Sequence, residues 1–162
     1  MLRKIAVCDD VEVERFVLKR QLMSYFRLTG AKAEIREYVS GESLLADIEE
    51  GYIWPDLIFL DIYMGNLNGM DTARHLREMD VEAPIVFLTA SPDYAVESYE
   101  VEAAGYLLKP AREQQTHAIL QKLLGEKPRR RIAVKCKRQF RYPYVDDMVY
   151  LESDRHTVRI HM

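Results

Sequence analysis

The feature that most constrains this chain is the apolar run Leu57–Leu60, which leads directly into the carboxylate Asp61. The run has no polar interruption and lies between turn-forming residues, which is typical of a strand buried on both faces of a parallel sheet. In open α/β sheets, ligands bind beyond the carboxyl ends of the strands. Asp61 therefore stands where chemistry is expected, although a turn-capping Asp is an equally good interpretation of this residue alone.

The hydrophobic pattern predicts a strand followed by a helix five times over residues 1–124. The predicted strands are 3–8, 32–38, 57–60, 84–89 and 105–110. The predicted helices cover about 11–28, 40–50, 69–80, a segment after Pro92 that contains Tyr94 and Tyr99, and 112–124. One face of the first helix carries Val11, Leu18, Leu22 and Tyr25. Alternating strands and helices imply an α/β fold, with a parallel sheet covered on both sides.

Composition narrows the class of protein. The apolar content of 48% and the charged content of 30% are those of an ordinary soluble globular protein. No stretch has the pattern of a signal peptide or the length of a membrane span, so we expect a cytoplasmic protein without a membrane. Cys8 and Cys136 have no Cys or His at metal-ligand spacing, which favours reduced thiols over a disulfide or a zinc site.

The charge changes sign near residue 125. Residues 1–124 carry 13 basic and 21 acidic side chains, a balance of −8, whereas residues 125–162 carry 10 and 5, a balance of +5. Four short segments in which apolar and polar residues alternate follow this point, at about 131–136, 139–142, 148–151 and 157–160. The pattern predicts an α/β domain over 1–124, a linker over 125–130 and an all-β fragment over 131–162.

Polar side chains stand at the ends of four predicted strands. They are Asp9 and Asp10 after the first strand, Asp61 after the third, Thr89 at the end of the fourth and Lys109 in the fifth. Because the ends of parallel strands share one edge, we expect these groups to meet in one pocket. Carboxylates that are packed together repel each other, so the cluster needs a cation, and oxygen ligands suit Mg2+. Each residue alone has an ordinary explanation as a cap, a turn hydroxyl or a surface charge, and only the combination predicts a site.

Such a pocket can receive a phosphoryl group. We expect Asp61 to attack as a carboxylate nucleophile, while the metal and Lys109 neutralise the equatorial oxygens and the Thr89 hydroxyl donates to another.

An independent enzyme fits the sequence less well than a phosphoryl acceptor. A haloacid-dehalogenase-type phosphatase needs an acid at position 63, which is Tyr63, and a P-loop NTPase needs a Gly-rich loop after the first strand. In an FMN-binding protein, the acidic pair after that strand would repel the phosphate.

Residues 1–124 resemble the receiver domain of two-component response regulators. The matching residues are the acidic pair Asp9 and Asp10, the phosphoacceptor Asp61, the switch hydroxyl Thr89, the switch aromatic Tyr106, and Lys109 with Pro110. The resemblance implies a flavodoxin-like sheet of order 2-1-3-4-5 and phosphoryl transfer from a sensor histidine kinase. It implies a signalling domain rather than an enzyme, with slow autodephosphorylation as its only further chemistry.

The same resemblance implies a ligand set for Mg2+. Asp10, Asp61 and the main-chain carbonyl of Tyr63 would bind the ion, and Asp9 would bind it through water. The peptide bond between Lys109 and Pro110 would be cis, a rare geometry that needs proline.

Three residues depart from the family pattern. Gly65 stands where Pro is usual, Glu102 where Gly is usual and Gly105 where Asp is usual. Glu102 and Gly105 lie outside the phosphorylation pocket, whereas Gly65 is expected to loosen the loop after Asp61. Glu102 and Gly105 concern instead the shape of the output surface.

The resemblance also implies an output. On phosphorylation, Thr89 would move toward a phosphoryl oxygen and Tyr106 would rotate into the vacated space. The affected face comprises the fourth predicted helix, the fifth strand and the fifth helix, and we expect a homodimer to form through it. Tyr94 and Tyr99 supply aromatic surface there, although half-buried packing explains them equally well.

Residues 94–110 are similar to receivers joined to LytTR-type (LytR/AlgR) DNA-binding domains, and 131–162 resemble the first third of such a domain. A basic run without acids lies between Lys127 and Asp146. Its candidate DNA contacts are Arg129, Arg130, Arg131, Lys135, Lys137 and Arg138. A charge-guarded edge strand is an equally good interpretation of this run. Two outputs therefore stay open: control of DNA binding and transcription, or protein contact alone.

Overall fold

The structure is a computed structural model, which describes residues 2–125 together with the strand segments 134–136, 139–141, 150–154 and 157–161. The chain divides into two compact units, Met1–Leu124 and Gly125–Met162.

The first unit is built on a five-stranded parallel sheet. Its strands are β1 (Leu2–Cys8), β2 (Lys32–Tyr38), β3 (Leu57–Leu60), β4 (Ile85–Thr89) and β5 (Gly105–Leu108). They lie in the order β2-β1-β3-β4-β5, and every neighbouring pair is parallel. This order and the α/β fold class confirm the prediction. The two uninterrupted apolar runs form β3 and β4, which are buried along their whole length.

Four α-helices cover the sheet: α1 (Glu12–Thr29), α2 (Gly41–Glu49), α3 (Gly69–Glu78) and α4 (Glu113–Leu124). Side-chain caps define two of the starts, because Ser40 accepts the N–H of Ser43 and Asn68 accepts the N–H of Asp71. Gly30 ends α1 in the left-handed region, with φ at 70°.

The prediction that Val11 belongs to the buried face of the first helix was wrong. Val11 precedes α1 in an extended conformation, its N–H donates to Asp9 Oδ1 at 2.8 Å, and its side chain is 45% exposed. Phe26 takes the remaining place on the buried face, beside Leu18 and Leu22. The helix therefore begins one residue later than its apolar pattern suggests.

The fourth predicted helix is also different from the expectation. Residues 92–96 form turns, and a short 3-10 helix follows over Glu97–Val101. The hydroxyl of Ser98 donates to the carbonyl of Ala95 at 2.7 Å, a local bond that favours this tighter geometry. Glu102 then ends the helix in the left-handed region, with φ at 51°.

Arg77 on α3 holds the 3-10 helix in place. Its guanidinium donates to the carbonyls of Val101 at 2.9 Å and Ala83 at 3.0 Å, and also to that of Val81. One side chain thus connects α3, the end of the 3-10 helix and the loop that leads into β4.

Alternate residues of each strand pack into two apolar layers, one on each face of the sheet. In β3, Ile58 and Leu60 point into the layer beneath α2 and α3, while Leu57 and Phe59 point into the layer beneath α1 and α4. The loop before β3, at the edge opposite Asp61, leaves Trp54 65% exposed.

The second unit contains two antiparallel strand pairs. β6 (Val134–Cys136) pairs with β7 (Gln139–Arg141), and β8 (Tyr150–Asp154) pairs with β9 (Thr157–His161). The described segments are strands, while the predicted strand residues 131–133, 142 and 148–149 lie outside the described residues. The all-β fragment over 131–162 therefore stays a prediction. Within the described part of the chain, no helix has both the length and the apolar character of a membrane span.

Candidate functional site

The carboxyl ends of the strands bring three carboxylates together. Asp9 and Asp10 follow β1, and Asp61 follows β3. One carboxylate oxygen from each residue lies within 4.8 Å of the others. Asp9 and Asp61 are buried, whereas Asp10 is exposed at the mouth of the cluster.

Lys109, which follows β5, supplies a cation to this cluster. Its Nζ donates to Oδ2 of Asp9 at 2.5 Å and to Oδ2 of Asp61 at 2.9 Å. Burial alone would lower the pKa of Lys109, but the hydrogen bonds to Asp9 and Asp61 outweigh it, and the pKa is raised. Burial raises the pKa of Asp9, even though the hydrogen bonds from Lys109 and from the Val11 N–H oppose the shift. The ammonium is therefore held firmly in its charged form.

Main-chain contacts orient the two buried acids. Asp61 Oδ1 accepts the N–H of Tyr63 at 3.3 Å, and Asp61 N–H donates to the Cys8 carbonyl at 2.9 Å. Arg15 on α1 donates from Nη1 to the carbonyl of Asp9 at 2.7 Å. The sequence analysis did not single out Arg15, because nothing in the helical pattern distinguishes it from an exposed charge.

Gly69 is a second residue of the site that the sequence pattern did not distinguish, because it is simply the first residue of the predicted helix 69–80. It begins α3 directly against the end of β3: a Cβ atom there would lie 2.0 Å from the main-chain oxygen of Asp61. Gly65 in the same loop has open space around it. Of these two glycines, Gly69 is the one required by close packing, and a Gly immediately after the Asn68 cap was the available signal.

Thr89 ends β4 with its side chain fully buried. Its Oγ1 has no hydrogen-bond partner among the residues that the structure describes. Leaving a buried hydroxyl unsatisfied costs roughly 1–3 kcal/mol, so a hydrogen-bond partner for this group would stabilise the protein. The main-chain oxygen of Thr89 accepts the N–H of Lys109 at 2.8 Å, which places the two residues side by side.

The donor set fits a hard divalent cation. Three carboxylates face one ammonium in the cluster, which leaves an excess of negative charge, and all the candidate ligand atoms are oxygens. Mg2+ prefers this chemistry, and it usually retains waters alongside one or two carboxylates.

The aromatic residues near the pocket have different environments. Tyr106 is half-buried, its ring centroid lies 6.1 Å from that of Phe87, and its hydroxyl donates to the carbonyl of Ser91 at 2.6 Å. Tyr94 packs against the core and meets Tyr63 edge to face at 5.9 Å, whereas Tyr99 is 80% exposed. Packing thus accounts for Tyr94 and not for Tyr99.

The structure describes some of the remaining predicted residues and not others. The Lys109–Pro110 peptide bond is cis. Lys135 lies in the described backbone of β6. The other basic residues proposed to contact DNA lie outside the described residues: Arg129, Arg130, Arg131, Lys137 and Arg138.

A doubly wound sheet of this order, with clustered acids, a hydroxyl and an ammonium at its carboxyl edge, defines the receiver class of signalling domains. Residues 5–121 match the response regulator receiver domain, and the chain belongs to that family.

Similar proteins include known regulators. The chain is 35% identical over 123 residues to the sensory transduction protein LytT of Bacillus subtilis (strain 168), a match that covers 75% of this chain and 48% of LytT. It is 31% identical over 118 residues to the positive alginate biosynthesis regulatory protein of Pseudomonas aeruginosa, covering 73% and 46%. The match spans about half the length of each relative.

A solved structure agrees with the fold. The response regulatory domain of protein mrkE from Klebsiella pneumoniae superimposes with a TM-score of 0.66 at 30% identity, covering 75% of this chain and 94% of that domain.

Proposed function

We propose that this chain is the phosphoacceptor of a two-component response regulator, and that Asp61 takes a phosphoryl group from a sensor histidine kinase in a Mg2+-dependent reaction. The observation that carries the proposal is the contact of the Lys109 ammonium with both Asp9 and Asp61, beside the unpartnered hydroxyl of Thr89. Membership of the receiver family supports it.

In this mechanism a carboxylate oxygen of Asp61 forms a bond to phosphorus while the bond from phosphorus to the donor breaks and its electron pair leaves with the donor. Lys109 pairs with one equatorial oxygen and the Thr89 hydroxyl donates to another. Asp10, Asp61 and the Tyr63 carbonyl would hold Mg2+, with Asp9 acting through water. When bound, the ion neutralises charge on the phosphoryl oxygens. The side chains themselves position the acceptor and exclude bulk water from it.

Phosphorylation adds a charge of roughly −1.5 to −2 next to Thr89 and Lys109. We infer that the Thr89 hydroxyl turns toward the new oxygen and that Tyr106 gives up its bond to Ser91 and moves inward. The exposed face formed by the 3-10 helix, β5 and α4 then changes shape. Val96 and Tyr99, each 80% exposed on this face, are suited to the contact of a homodimer.

For the whole protein, we propose a receiver over 1–124, a linker over 125–130 and the beginning of a LytTR-type DNA-binding domain over 131–162. The alginate regulator among the relatives supports a regulatory output, which we propose to be control of DNA binding and transcription. The second candidate is output through protein contact alone, because residues 131–162 resemble only part of such a domain. A DNA retardation assay with this chain and a longer version separates the two, and binding to DNA phosphates must weaken steeply with salt.

The experiment that tests the acceptor is intact-mass spectrometry after treatment with acetyl phosphate and Mg2+. We expect wild-type protein to gain one phosphoryl group and Asp61→Asn to gain none. Asp71→Asn is the matched control, since Asp71 is an acid on α3 whose carboxylate pairs with Arg74 instead of Lys109. Modification that persists in Asp61→Asn means that the acceptor is another residue.

The homodimer is tested by light scattering with and without beryllofluoride, a phosphoryl mimic. We expect the mass to double in wild type and to stay that of a monomer in Tyr99→Ser. An unchanged mass in wild type would remove dimerisation from the proposal without affecting the acceptor.

A further inference from the structure

The side chain of Gln21 on α1 joins the phosphoacceptor pocket to α4. Its Nε2 donates to the carbonyl of Ala111 at 3.0 Å, and its Oε1 accepts the hydroxyl of Thr116 at 2.6 Å. Ala111 is only two residues beyond Lys109. We infer that Gln21 is a positioning residue for phosphoryl transfer, which acts on Lys109 through the main chain of 109–111. The inference rests on the proposed function of Asp61 and Lys109.

Both ends of the amide are needed. Thr116 is fully buried, so its hydroxyl requires an acceptor inside the protein, whereas the carbonyl of Ala111 can only accept. The two contacts together orient the amide with its nitrogen toward Ala111. Among side chains of this length, only glutamine offers a neutral donor and acceptor on one planar group.

The contact completes the anchoring of Lys109. On one side, the N–H of Lys109 donates to the carbonyl of Thr89 at 2.8 Å. On the other side, Pro110 has no N–H to donate, and the next anchored group is the carbonyl of Ala111, held by Gln21. Lys109 is thus fixed between β4 and α1.

This anchoring matters because the ammonium makes two short contacts at once, 2.5 Å to Asp9 and 2.9 Å to Asp61. A shift of about 1 Å in a catalytic group can reduce a rate by about 100-fold. Loss of one of two anchors is a smaller change, and we expect about a tenfold loss of rate on the same scale.

The pair of helices offers a matched control. Tyr25 on α1 donates from its hydroxyl to Oε1 of Gln121 on α4, also at 3.0 Å. The bond crosses between the same two helices but does not touch residues 109–111. Tyr25→Phe therefore removes a bond between α1 and α4 and leaves the anchor of Lys109 in place.

The test compares phosphorylation rate constants with acetyl phosphate over a range of Mg2+ concentrations. Gln21→Met loses both contacts, Gln21→Glu keeps the acceptor only and Gln21→Lys keeps the donor only. We expect the maximal rate constant to fall about tenfold in the Met and Glu variants and to stay within about twofold of wild type in the Lys and Tyr25→Phe variants. The Mg2+ concentration for half-maximal rate should be unchanged in all of them, since no ligand is altered.

Three results overturn the inference: a wild-type rate in Gln21→Met, an equal loss in Tyr25→Phe, or equal rates in the Glu and Lys variants. Circular dichroism establishes that each variant is folded. If Gln21→Met does not fold, the comparison of Glu with Lys decides. Failure of the proposed function is distinct, because wild type would then take no phosphoryl group or Asp61→Asn would still take one.

Discussion

The ammonium nitrogen of Lys109 lies 2.9 Å from Oδ2 of Asp61, although 48 positions separate the two residues along the chain. Asp61 follows β3 and Lys109 follows β5, with β4 between them in the sheet. The lysine side chain therefore reaches across the end of a whole strand, past Thr89. The contact requires the parallel strand order, and it ties the chemistry of the pocket to the topology of the fold.

Mg2+ should stabilise the protein through Asp10. Binding to the folded state alone adds about 2.7 kcal/mol to the free energy of unfolding at an ion concentration 100 times the Kd. In Asp10→Asn we expect most of this increase to disappear, whereas stability without the ion should rise because one of three repelling carboxylates is gone. Urea unfolding with and without Mg2+ measures both effects. The control, Glu12→Gln, alters an exposed acid of the first turn of α1 and should respond to the ion as wild type does.

Thr89→Val should abolish association on phosphorylation without lowering the free energy of unfolding. Valine has the shape of threonine but lacks the hydroxyl, and in Thr89 that hydroxyl has no partner among the described residues. We expect the free energy of unfolding to stay unchanged or to rise by up to about 1 kcal/mol, while association on phosphorylation is lost. Thr89→Ser, which keeps the hydroxyl, should retain the association. A large loss of stability in the valine variant would show that the hydroxyl is already bonded.

Gly69→Ala should damage the site as well as the fold. The new Cβ would meet main-chain atoms of Asp61, so the acceptor itself must move. We expect a loss of about 1–3 kcal/mol and a large fall in the phosphorylation rate. Gly41→Ala is the matched control, because its Cβ would meet the side chain of Thr72 at 2.0 Å and not the main chain of Asp61. It should lose comparable stability yet be phosphorylated at nearly the wild-type rate, and equal rates in the two variants would contradict the prediction.

Glu102→Gly should stabilise the protein. Glu102 has a φ of 51°, and a left-handed backbone costs an L-residue roughly 1–2 kcal/mol that glycine does not bear. Part of this gain is offset by the greater freedom of glycine in the unfolded chain, so we expect a net gain of about 0.5–1 kcal/mol. The midpoint of urea unfolding measures it. Glu102→Ala keeps the strain and should show no gain, and a rise equal to that of glycine would point to the lost charge instead.

The sheet was predictable because its strands are the strongest pattern in the sequence. Leu57–Leu60 and the run before Thr89 are typical of strands in the middle of a parallel sheet, and polar groups at successive strand ends then predict the pocket. The structure brings Asp9, Asp10 and Asp61 together and joins Lys109 to two of them.

The parts that could not be predicted depend on single side-chain contacts, some local and some between distant elements. In the 3-10 helix, Ser98 donates to the carbonyl of Ala95, a local bond that apolar periodicity does not record. Gln21 lies in an ordinary helical pattern, and only the folded structure shows that its side chain donates to the carbonyl of Ala111, which is 90 residues away in the sequence. Long-range partners of this kind leave no local signal.

The position of Trp54 has a practical consequence for spectroscopy. It is the only tryptophan in the sequence, it is largely exposed, and it precedes β3 while Asp61 follows that strand. We therefore expect the fluorescence of Trp54 to reflect a solvent-exposed indole at the opposite edge of the sheet, and to stay unchanged when the acidic cluster binds a ligand. In a Tyr63→Trp variant that also carries Trp54→Phe, the single indole would lie two residues from Asp61. Its fluorescence should then change when the acidic cluster binds a ligand.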